Sequence, residues 1–459
     1  MSIALLAVAV ALALIGVAYP HLHGSDPAAP FFPPTATVPT AVSTLPPIPP
    51  PPGVPVPQLD LPIGSQTQSR PQAGMSIAVD PLDNRLLVAT TNDYNSAQGM
   101  TTYRSADAGR TWTSSPLPPF KERAGDPKLV FAAHHVVYLA ATEYLFDAHN
   151  QAIRVAIVLF RSADDGRRWT WLGTPSGTPS PKHEIREDWP GLAIDHDGTV
   201  YMAWTHFSRA PAAIRVAVSH DAGRHFVPLA TLRTGWGVGA SVGVDGHGTA
   251  YVAYQEDQHR YIAVARFDRH GHSLSRAAPL IPLEHLPGLQ IRVSSYPQLA
   301  VDQSSGRVYV TWDAWQRDRA VVLLAKSDDG GRHWGKALRI GNDHTRDYFM
   351  PNLSVSPTGL LGLSFYGRIV EGQTSRYHTY LALSDRCGTR IAAPQQVDTI
   401  QSTVPGGTWF AYLGDATGIA LTRGTAHLAW TDLRGPVTVM YTRAFPLPPP
   451  AAATTCPSG

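Results

Sequence analysis

The amino-acid sequence predicts an all-β protein whose main body is a single β-propeller. Two recurring patterns and their spacing support this prediction. A short motif with serine, aspartate and glycine returns along the chain, and an apolar strand–turn–strand pattern precedes its copies. The first three copies of the short motif begin 57 residues apart, at Ser105, Ser162 and Ser219. A unit of roughly 55 residues with four short strands has the size of a propeller blade.

The short motif reads Ser-x-Asp-x-Gly-x-x followed by an aromatic residue. Full copies span 105–112, 162–169, 219–226 and 327–334, and weaker copies lie at 267–274 and 384–388. Serine and aspartate side chains stabilise turns by bonding to nearby backbone groups, and glycine supplies a positive φ. The motif therefore predicts a tight turn between two strands, and its aspartates are interpreted as structural.

The longer pattern consists of an apolar strand, a turn and a second alternating strand. It occurs seven times, at 76–90, 127–142, 189–205, 240–255, 297–312, 351–366 and 416–431. Seven four-stranded blades are predicted, with six as the alternative. The last unit stops near Phe445 without a fourth strand, and residues 59–63 (LDLPI) are expected to supply it. Such a strand closes the ring and leaves no open sheet edge.

Segments at the two ends of the chain lie outside the predicted propeller at 64–445. Residues 1–20 contain an uncharged apolar run (3–19) that reads either as a cleaved signal peptide or as a helical N-terminal membrane anchor. Residues 21–63 form a proline-rich linker, and 446–459 form a C-terminal tail. The protein is therefore expected to be exported, secreted or tethered in the periplasm or outside the cell.

Composition excludes several classes of protein. The formal net charge of +2 gives no electrostatic basis for nucleic-acid binding. The two cysteines, Cys387 and Cys456, are too few for a disulfide scaffold or a zinc motif, but an exported protein tolerates one bridge. The 19 histidines are scattered, so no metal site and no cofactor are predicted. The chain is expected to be a monomer that touches a membrane only through its N-terminal segment.

The repeats resemble the Asp boxes of sialidases and of exported bacterial Asp-box (BNR) repeat proteins. The resemblance covers nearly all of 64–445 and includes Gly125-Asp126-Pro127 and Glu187-Asp188-Trp189-Pro190. It implies a sialidase-like propeller with carbohydrate chemistry, including an arginine triad, a Tyr–Glu nucleophile pair and an aspartate acid. Arg70 lies roughly where the family's first arginine stands, although this segment lacks the residue between arginine and proline. Known enzymes tend to have six blades, whereas this chain shows seven units.

The face that carries the longer, variable loops is the expected site. Arginines there suit acidic groups, and exposed tryptophans suit sugar rings. Asp93 and Asp126 are predicted as the acid, Tyr348 or Tyr366 as the nucleophile and Glu256 as its partner. The predicted substrate-binding residues are Arg70, Arg123, Arg186, Trp189, Arg292, Trp315, Arg368 and Trp409.

Two functions remain open from the sequence. The first is a glycosidase of exo-sialidase-like type, or a polysaccharide lyase, that acts on an acidic glycan. The second is a non-catalytic propeller that binds a glycan or a surface protein. Inter-loop ion pairs without any ligand would produce the same inventory of charged residues. An enzyme needs side chains that converge, whereas a binding protein needs only a surface patch.

Overall fold

A computed structural model describes most of the predicted propeller and confirms that it is all-β. The described residues are 60–63, 70–120, 123–146, 152–177, 186–208, 211–235, 238–256, 261–282, 296–341, 343–371, 374–404, 413–435 and 437–448. Within these ranges no helix is long and apolar enough to cross a membrane. The predicted N-terminal helix, nearly all of the linker and most of the tail lie outside the described residues.

The strands of the described chain fall into units of four antiparallel strands, to which unit 6 adds a fifth strand. Unit 1 contains β2 (Gln72–Val79), β3 (Leu87–Asp93), β4 (Met100–Ser105) and β5 (Thr113–Ser114). Unit 2 contains β6 (Arg123–Phe131), β7 (Val137–Phe146), β8 (Ala152–Ser162) and β9 (Thr170–Gly173). Unit 3 contains β10 (Arg186–Ile194), β11 (Val200–Phe207), β12 (Ala212–Ser219) and β13 (Val227–Gly235). Unit 4 contains β14 (Ala240–Val244), β15 (Ala250–Glu256), β16 (Tyr261–Phe267) and β17 (Ser273–Pro282).

The remaining strands continue the same arrangement. Unit 5 contains β18 (Gln298–Asp302), β19 (Arg307–Gln316), β20 (Arg319–Ser327) and β21 (Leu338–Ile340). Unit 6 contains β22 (Asp347–Val355), β23 (Leu361–Glu371), β24 (Thr374–Leu383), β25 (Gln395–Gln396) and β26 (Ser402–Val404). Unit 7 contains β27 (Gly418–Leu421), β28 (Thr425–Asp432), β29 (Val439–Pro446) and, at its outer edge, β1 (Leu61–Pro62).

The first strand of every unit lies at the centre of the molecule. Each of these inner strands contacts the inner strand of the next unit, and β27 returns to contact β2, so the ring is closed. Small residues permit the close approach: a Cβ on Gly191 of β10 would lie 2.6 Å from the carbonyl oxygen of Ala240 on β14. The closed ring of radial four-stranded sheets is a β-propeller.

Strand β1 closes the ring as the sequence predicts. Leu61 pairs with Thr442 and Pro62 with Tyr441 at the edge of β29. The neighbouring Asp60 carboxylate binds Arg434 at 2.9 Å and Arg443 at 3.4 Å. The N-terminal end of the described chain is thereby bonded to its C-terminal unit. Elsewhere on the rim, Cys387 is disulfide-bonded, and Cys456 lies outside the described residues.

The four full copies of the short motif form the same turn between the third and fourth strands of units 1, 2, 3 and 5. In the first, the Ser105 hydroxyl donates to Asp107 Oδ1 at 2.8 Å and accepts the Gly109 N–H at 2.9 Å. The Thr111 N–H then donates to Asp107 Oδ1 at 2.9 Å. The other three copies repeat these bonds. Because the aspartates serve as turn acceptors, their interpretation as structural residues holds.

Among the glycines of the described residues, Gly414 makes the closest approach to another backbone segment. Its φ is +95°, and a Cβ there would lie 2.5 Å from the Cα and the N of Gly74 in unit 1. We expect Gly414→Ala to destabilise the protein by about 2–4 kcal/mol, since backbone cannot yield as a side chain can. Gly424→Ala is the matched control, because no atom lies within 4 Å of the added Cβ. Urea denaturation would measure both, and equal midpoints would contradict the prediction.

Candidate functional site

Inner strands of the propeller carry β-bulges near their loop-face ends. The ladder shifts register within β2, β6, β10 and β22. In three of these bulges a residue directly before proline has a positive φ: Asp126 (52°), Trp189 (50°) and Met350 (51°). Residues before proline strongly prefer extended backbone, so these positions are strained. Two of the three, Asp126 and Trp189, belong to a polar cluster at the mouth of the ring.

Asp126 is held from both sides by neighbouring side chains. Asn92, at the end of β3 in the preceding unit, accepts the Asp126 N–H at 2.7 Å and donates to its Oδ1 at 3.2 Å. The Tyr144 hydroxyl of β7 donates to Asp126 Oδ2 at 2.9 Å. The Asp126 side chain stays partly exposed. A carboxylate oriented by a phenol and an amide is placed to act on a molecule that enters the mouth.

Asp188 is the buried counterpart of Asp126 in the next unit, with 2% of its surface exposed. Its Oδ1 accepts hydrogen bonds from Thr142 Oγ1 at 2.8 Å and from the Trp189 N–H at 2.9 Å. Burial and then the nearby Asp126 carboxylate raise the pKa of Asp188 well above the usual carboxyl range, although both hydrogen bonds oppose the shift. The Asp126 and Asp188 carboxyl groups therefore lie close enough for the charge of one to raise the pKa of the other.

Two hydrogen bonds cross the ring at this level. Trp189 Nε1 of unit 3 donates to Asp415 Oδ2, just before β27 of unit 7, at 3.2 Å. Lys128 Nζ of unit 2 donates to Gln298 Oε1 of unit 5 at 2.9 Å. Burial lowers the pKa of Lys128 to about 8, and the Asp415 charge works against that shift. Side chains therefore span the centre of the ring at this level.

Three arginines surround the mouth in units 1 to 3. Arg70 donates to the Tyr94 carbonyl at 3.3 Å and Arg123 to the Ser96 carbonyl at 3.4 Å, so both hold the same loop. Burial and then the charge of Arg70 lower the pKa of Arg123. Burial likewise lowers the pKa of Arg186, against the charge of Asp188. The guanidinium groups of Arg70 and Arg123 repel each other, and such a pair favours an anionic ligand between them.

The structure thus brings together five of the residues predicted from sequence: Arg70, Arg123, Asp126, Arg186 and Trp189. It adds members that the predicted site set omitted, namely Asn92, Lys128, Tyr144, Asp188 and Asp415. A pattern in the sequence does indicate Asp188. It precedes Trp189-Pro190 much as Gly125 precedes Asp126-Pro127, and both stretches form the bulges of adjacent inner strands.

Three other predicted residues lie within the packed sheet of unit 6. Tyr366 is fully buried, and its hydroxyl accepts the Thr431 N–H at 2.9 Å. Tyr348 is 4% exposed and packs edge-on against Phe365, with ring centroids 5.2 Å apart. Arg368 is enclosed in a buried ion pair with Asp347, at 2.7 Å.

The remaining predicted residues are placed as follows. Asp93 is the last residue of β3 and is 4% exposed. It accepts hydrogen bonds from Gln72 Nε2 at 3.1 Å and from Thr101 Oγ1 at 2.9 Å. Glu256 ends β15 opposite Tyr261, and Trp315 packs partly buried near the end of β19. Arg292 and Trp409 lie outside the described residues.

A possible metal-binding group occurs on the opposite face of the molecule. Asp80, His135 and Asp165 each offer one ligand atom, and these atoms lie within 4.8 Å of one another. This is the one such group of three or more His, Cys, Asp or Glu found in the described part of the chain. It lies at the junction of units 1 and 2, apart from the mouth cluster.

Fold and site together define a β-propeller with a carboxylate-rich mouth. No family model and no curated protein matches the chain. Solved structures similar to this chain include Hadza microbial sialidase Hz136, at 16% identity and a TM-score of 0.46. The matched region covers 64% of this chain and 63% of the sialidase chain. The phage phi92 endosialidase has 11% identity, a TM-score of 0.48 and coverages of 87% and 70%. The Penicillium chrysogenum alpha-L-arabinanase has 13% identity, a TM-score of 0.48 and coverages of 85% and 99%.

Proposed function

We propose that this protein is a seven-bladed, sialidase-like propeller that hydrolyses glycosidic bonds at the loop-face mouth of its ring. The observation that carries the proposal is the pairing of Asp188 with Asp126. Glycoside hydrolysis commonly requires one carboxyl group that keeps its proton and a second that is ionised. The raised pKa of Asp188 suits the proton donor, and the partly exposed Asp126 suits the base or nucleophile.

The proposed substrate is an acidic glycan. Arg70 and Arg123 lie close enough for one charge to lower the pKa of the other, and a carboxylate or sulfate between them would relieve that repulsion. Trp189 is 7% exposed and packs against Tyr296 in a tilted arrangement, with ring centroids 4.9 Å apart. We propose that Trp189 positions Asp415 through its indole N–H and does not itself stack on a sugar ring.

A second candidate function is glycan binding without turnover, and the burial of Asp188 favours it. With 2% of its surface exposed, Asp188 reaches a substrate only if the mouth opens locally. The partly exposed groups Arg70, Arg123, Asp126 and Arg186 would then form a binding patch. We also propose, as the sequence indicates, an exported monomer with either a cleaved or a retained N-terminal segment.

A combined activity and binding screen tests the two functions. The full chain would be offered fluorogenic sialosides, arabinosides and a panel of acidic polysaccharides, beside Asp126→Asn and Arg123→Ala. Turnover that falls in Asp126→Asn supports the enzyme, and weaker binding by Arg123→Ala supports the acidic ligand. Asp197→Asn serves as a control, because Asp197 is exposed on the opposite face beside Arg269. Binding that Arg123→Ala abolishes, with no turnover of any substrate, would overturn the enzymatic proposal.

A further inference from the structure

The group formed by Asp80, His135 and Asp165 joins three turns on the face opposite the mouth. Asp80 follows β2 in unit 1, His135 lies in the β6–β7 turn of unit 2, and Asp165 lies in the Asp-box turn of unit 2. His135 Nδ1 is 2.6 Å from Asp80 Oδ2 and 3.3 Å from Asp165 Oδ1. The Asp80 side chain is fully buried, that of Asp165 is 13% exposed, and that of His135 is 47% exposed.

Comparison among the repeats shows that His135 is exceptional at its position. In unit 2, one backbone hydrogen bond closes the turn between the first and second strands: the Ala132 N–H donates to the carbonyl of Val136, four residues later. Asp195, Asp245 and Ser356 begin the equivalent turns of units 3, 4 and 6.

The residue in the place of His135 in those turns is a glycine: Gly198, Gly248 or Gly359, with φ of +81° to +82°. His135 adopts φ of 61°, which a glycine would adopt without strain. Unit 2 therefore has a histidine at a position with positive φ, where units 3, 4 and 6 have a glycine that adopts this conformation without strain.

The sister glycines also show where this histidine points. A Cβ on Gly248 would lie 3.9 Å from Asp195 Oδ2, and one on Gly359 would lie 3.5 Å from Asp302 Oδ2. Each of these carboxylates belongs to the first turn of the preceding unit, as Asp80 does for His135. A side chain at this position is therefore directed at a neighbouring carboxylate by the architecture itself.

Asp165 is the second exception, and it occurs in the same unit. The equivalent residues of the other full Asp-box turns are Ala108, Ala222 and Gly330, all with positive φ. Asp165 Oδ1 is buried and accepts no hydrogen bond. Two positions that carry glycine or alanine in the turns compared above thus carry an imidazole and a carboxylate in unit 2, and both lie next to Asp80.

We infer that Asp80, His135 and Asp165 form a binding site for a divalent transition-metal cation of the zinc type. One imidazole and two carboxylates are ligands that zinc accepts, and a water molecule or another ligand would complete the four-coordinate set. Tetrahedral zinc with bonds of about 2.0–2.1 Å separates its ligand atoms by about 3.3 Å. The His135–Asp165 separation matches this value, and Asp80 has to move away from Nδ1 by well under 1 Å.

The chemical balance agrees with this assignment, although Asp165 Oδ2 also lies 3.7 Å from Arg104 and 4.0 Å from Arg167. The cation takes the place of the proton on His135 Nδ1, and the proton leaves to solvent. A single proton on His135 Nδ1 bonds to Asp80 and leaves Asp165 Oδ1 without a hydrogen bond. A cation at the same place would contact both carboxylates. Calcium is disfavoured, because it needs six to eight oxygen ligands and this site offers two carboxylates and a nitrogen.

The test is zinc titration of the untagged full chain by calorimetry near neutral pH, with cobalt absorption as a spectroscopic readout. His135→Gly and Asp165→Ala introduce residues that sister repeats carry at the same positions, so both variants are expected to fold. The wild type should bind one equivalent, and both variants should bind at least about 100-fold more weakly, since removing even an outer partner of a metal ligand weakens binding 10–100-fold.

His333→Ala is the matched control. His333 Nδ1 lies 2.6 Å from Asp329 in the Asp-box turn of unit 5 and forms a His–Asp pair with one carboxylate. This variant should retain the full equivalent. The proposal is overturned if the wild type binds zinc no more tightly than His135→Gly, or if His333→Ala loses the same equivalent.

Discussion

The Asp60→Ala variant is expected to lose about 3–5 kcal/mol of stability, which is the usual effect of removing one partner from a buried ion pair. The Asp60 side chain is 1% exposed and bonds to Arg434 at 2.9 Å and Arg443 at 3.4 Å. It also accepts bonds from the N–H and hydroxyl of Thr399, at 2.9 and 2.7 Å. These bonds hold the start of β1 against units 6 and 7, so their loss weakens the attachment of β1 to the last unit. Urea denaturation monitored by tryptophan fluorescence measures the effect.

Asp83→Ala is the control for this prediction. Asp83 pairs with Arg85 at 2.7 Å, but the two side chains are 23% and 70% exposed. Exposed pairs contribute about 0–1 kcal/mol, so this variant should denature close to the wild type. If Asp60→Ala and Asp83→Ala shift the midpoint equally, Asp60 does not secure the closure.

The Asp188→Asn variant is expected to lower kcat by about 10²–10⁴-fold on any substrate that the protein turns over. The amide oxygen of asparagine still accepts the bonds from Thr142 and the Trp189 N–H, so the structure should persist. The wild-type acid donates only while protonated. Its kcat should therefore fall as pH rises through the raised pKa of Asp188, and this alkaline limb should be missing from the residual activity of the variant.

A stability measurement on the same variant separates catalysis from structure. The native pKa of Asp188 lies above its unfolded value, so the native state binds more protons between the two pKa values. Wild-type stability due to this group is complete below the unfolded pKa and is lost as pH rises through the native pKa. Asp188→Asn lacks that loss, so its thermal midpoint should rise relative to the wild type with increasing pH. Parallel midpoints across this range would contradict the raised pKa.

The sequence predicted much of the fold because its repeats are local. In the turn formed by the short motif, Ser105 bonds to both Asp107 and Gly109 within four residues, so the spacing alone encodes the turn. The prediction that residues 59–63 supply the closing strand is confirmed by the pairing of Leu61 with Thr442. That prediction followed from a missing fourth strand, which a periodic chain makes visible.

The candidate site was harder to predict, because its residues come from distant units. Trp189 and Asp415 are 226 positions apart in sequence, and Lys128 and Gln298 are 170 apart. A sequence pattern shows that such residues share the loop face but not which of them reach the centre. Arg368 illustrates the difficulty: it has the chemistry of an anion clamp, yet Asp347 occupies its guanidinium.

The sequence by itself determined the all-β repeat, the Ser-x-Asp-x-Gly turns and the strand that closes the ring, because hydrogen bonds within a few residues and a regular period encode them. Only the tertiary structure decided which polar groups meet. Strained bulges at Asp126 and Trp189 aim side chains at the mouth, and packing of unit 1 against unit 2 brings Asp80 to His135. Such encounters depend on burial and on the geometry between units, which the order of residues within one repeat does not contain.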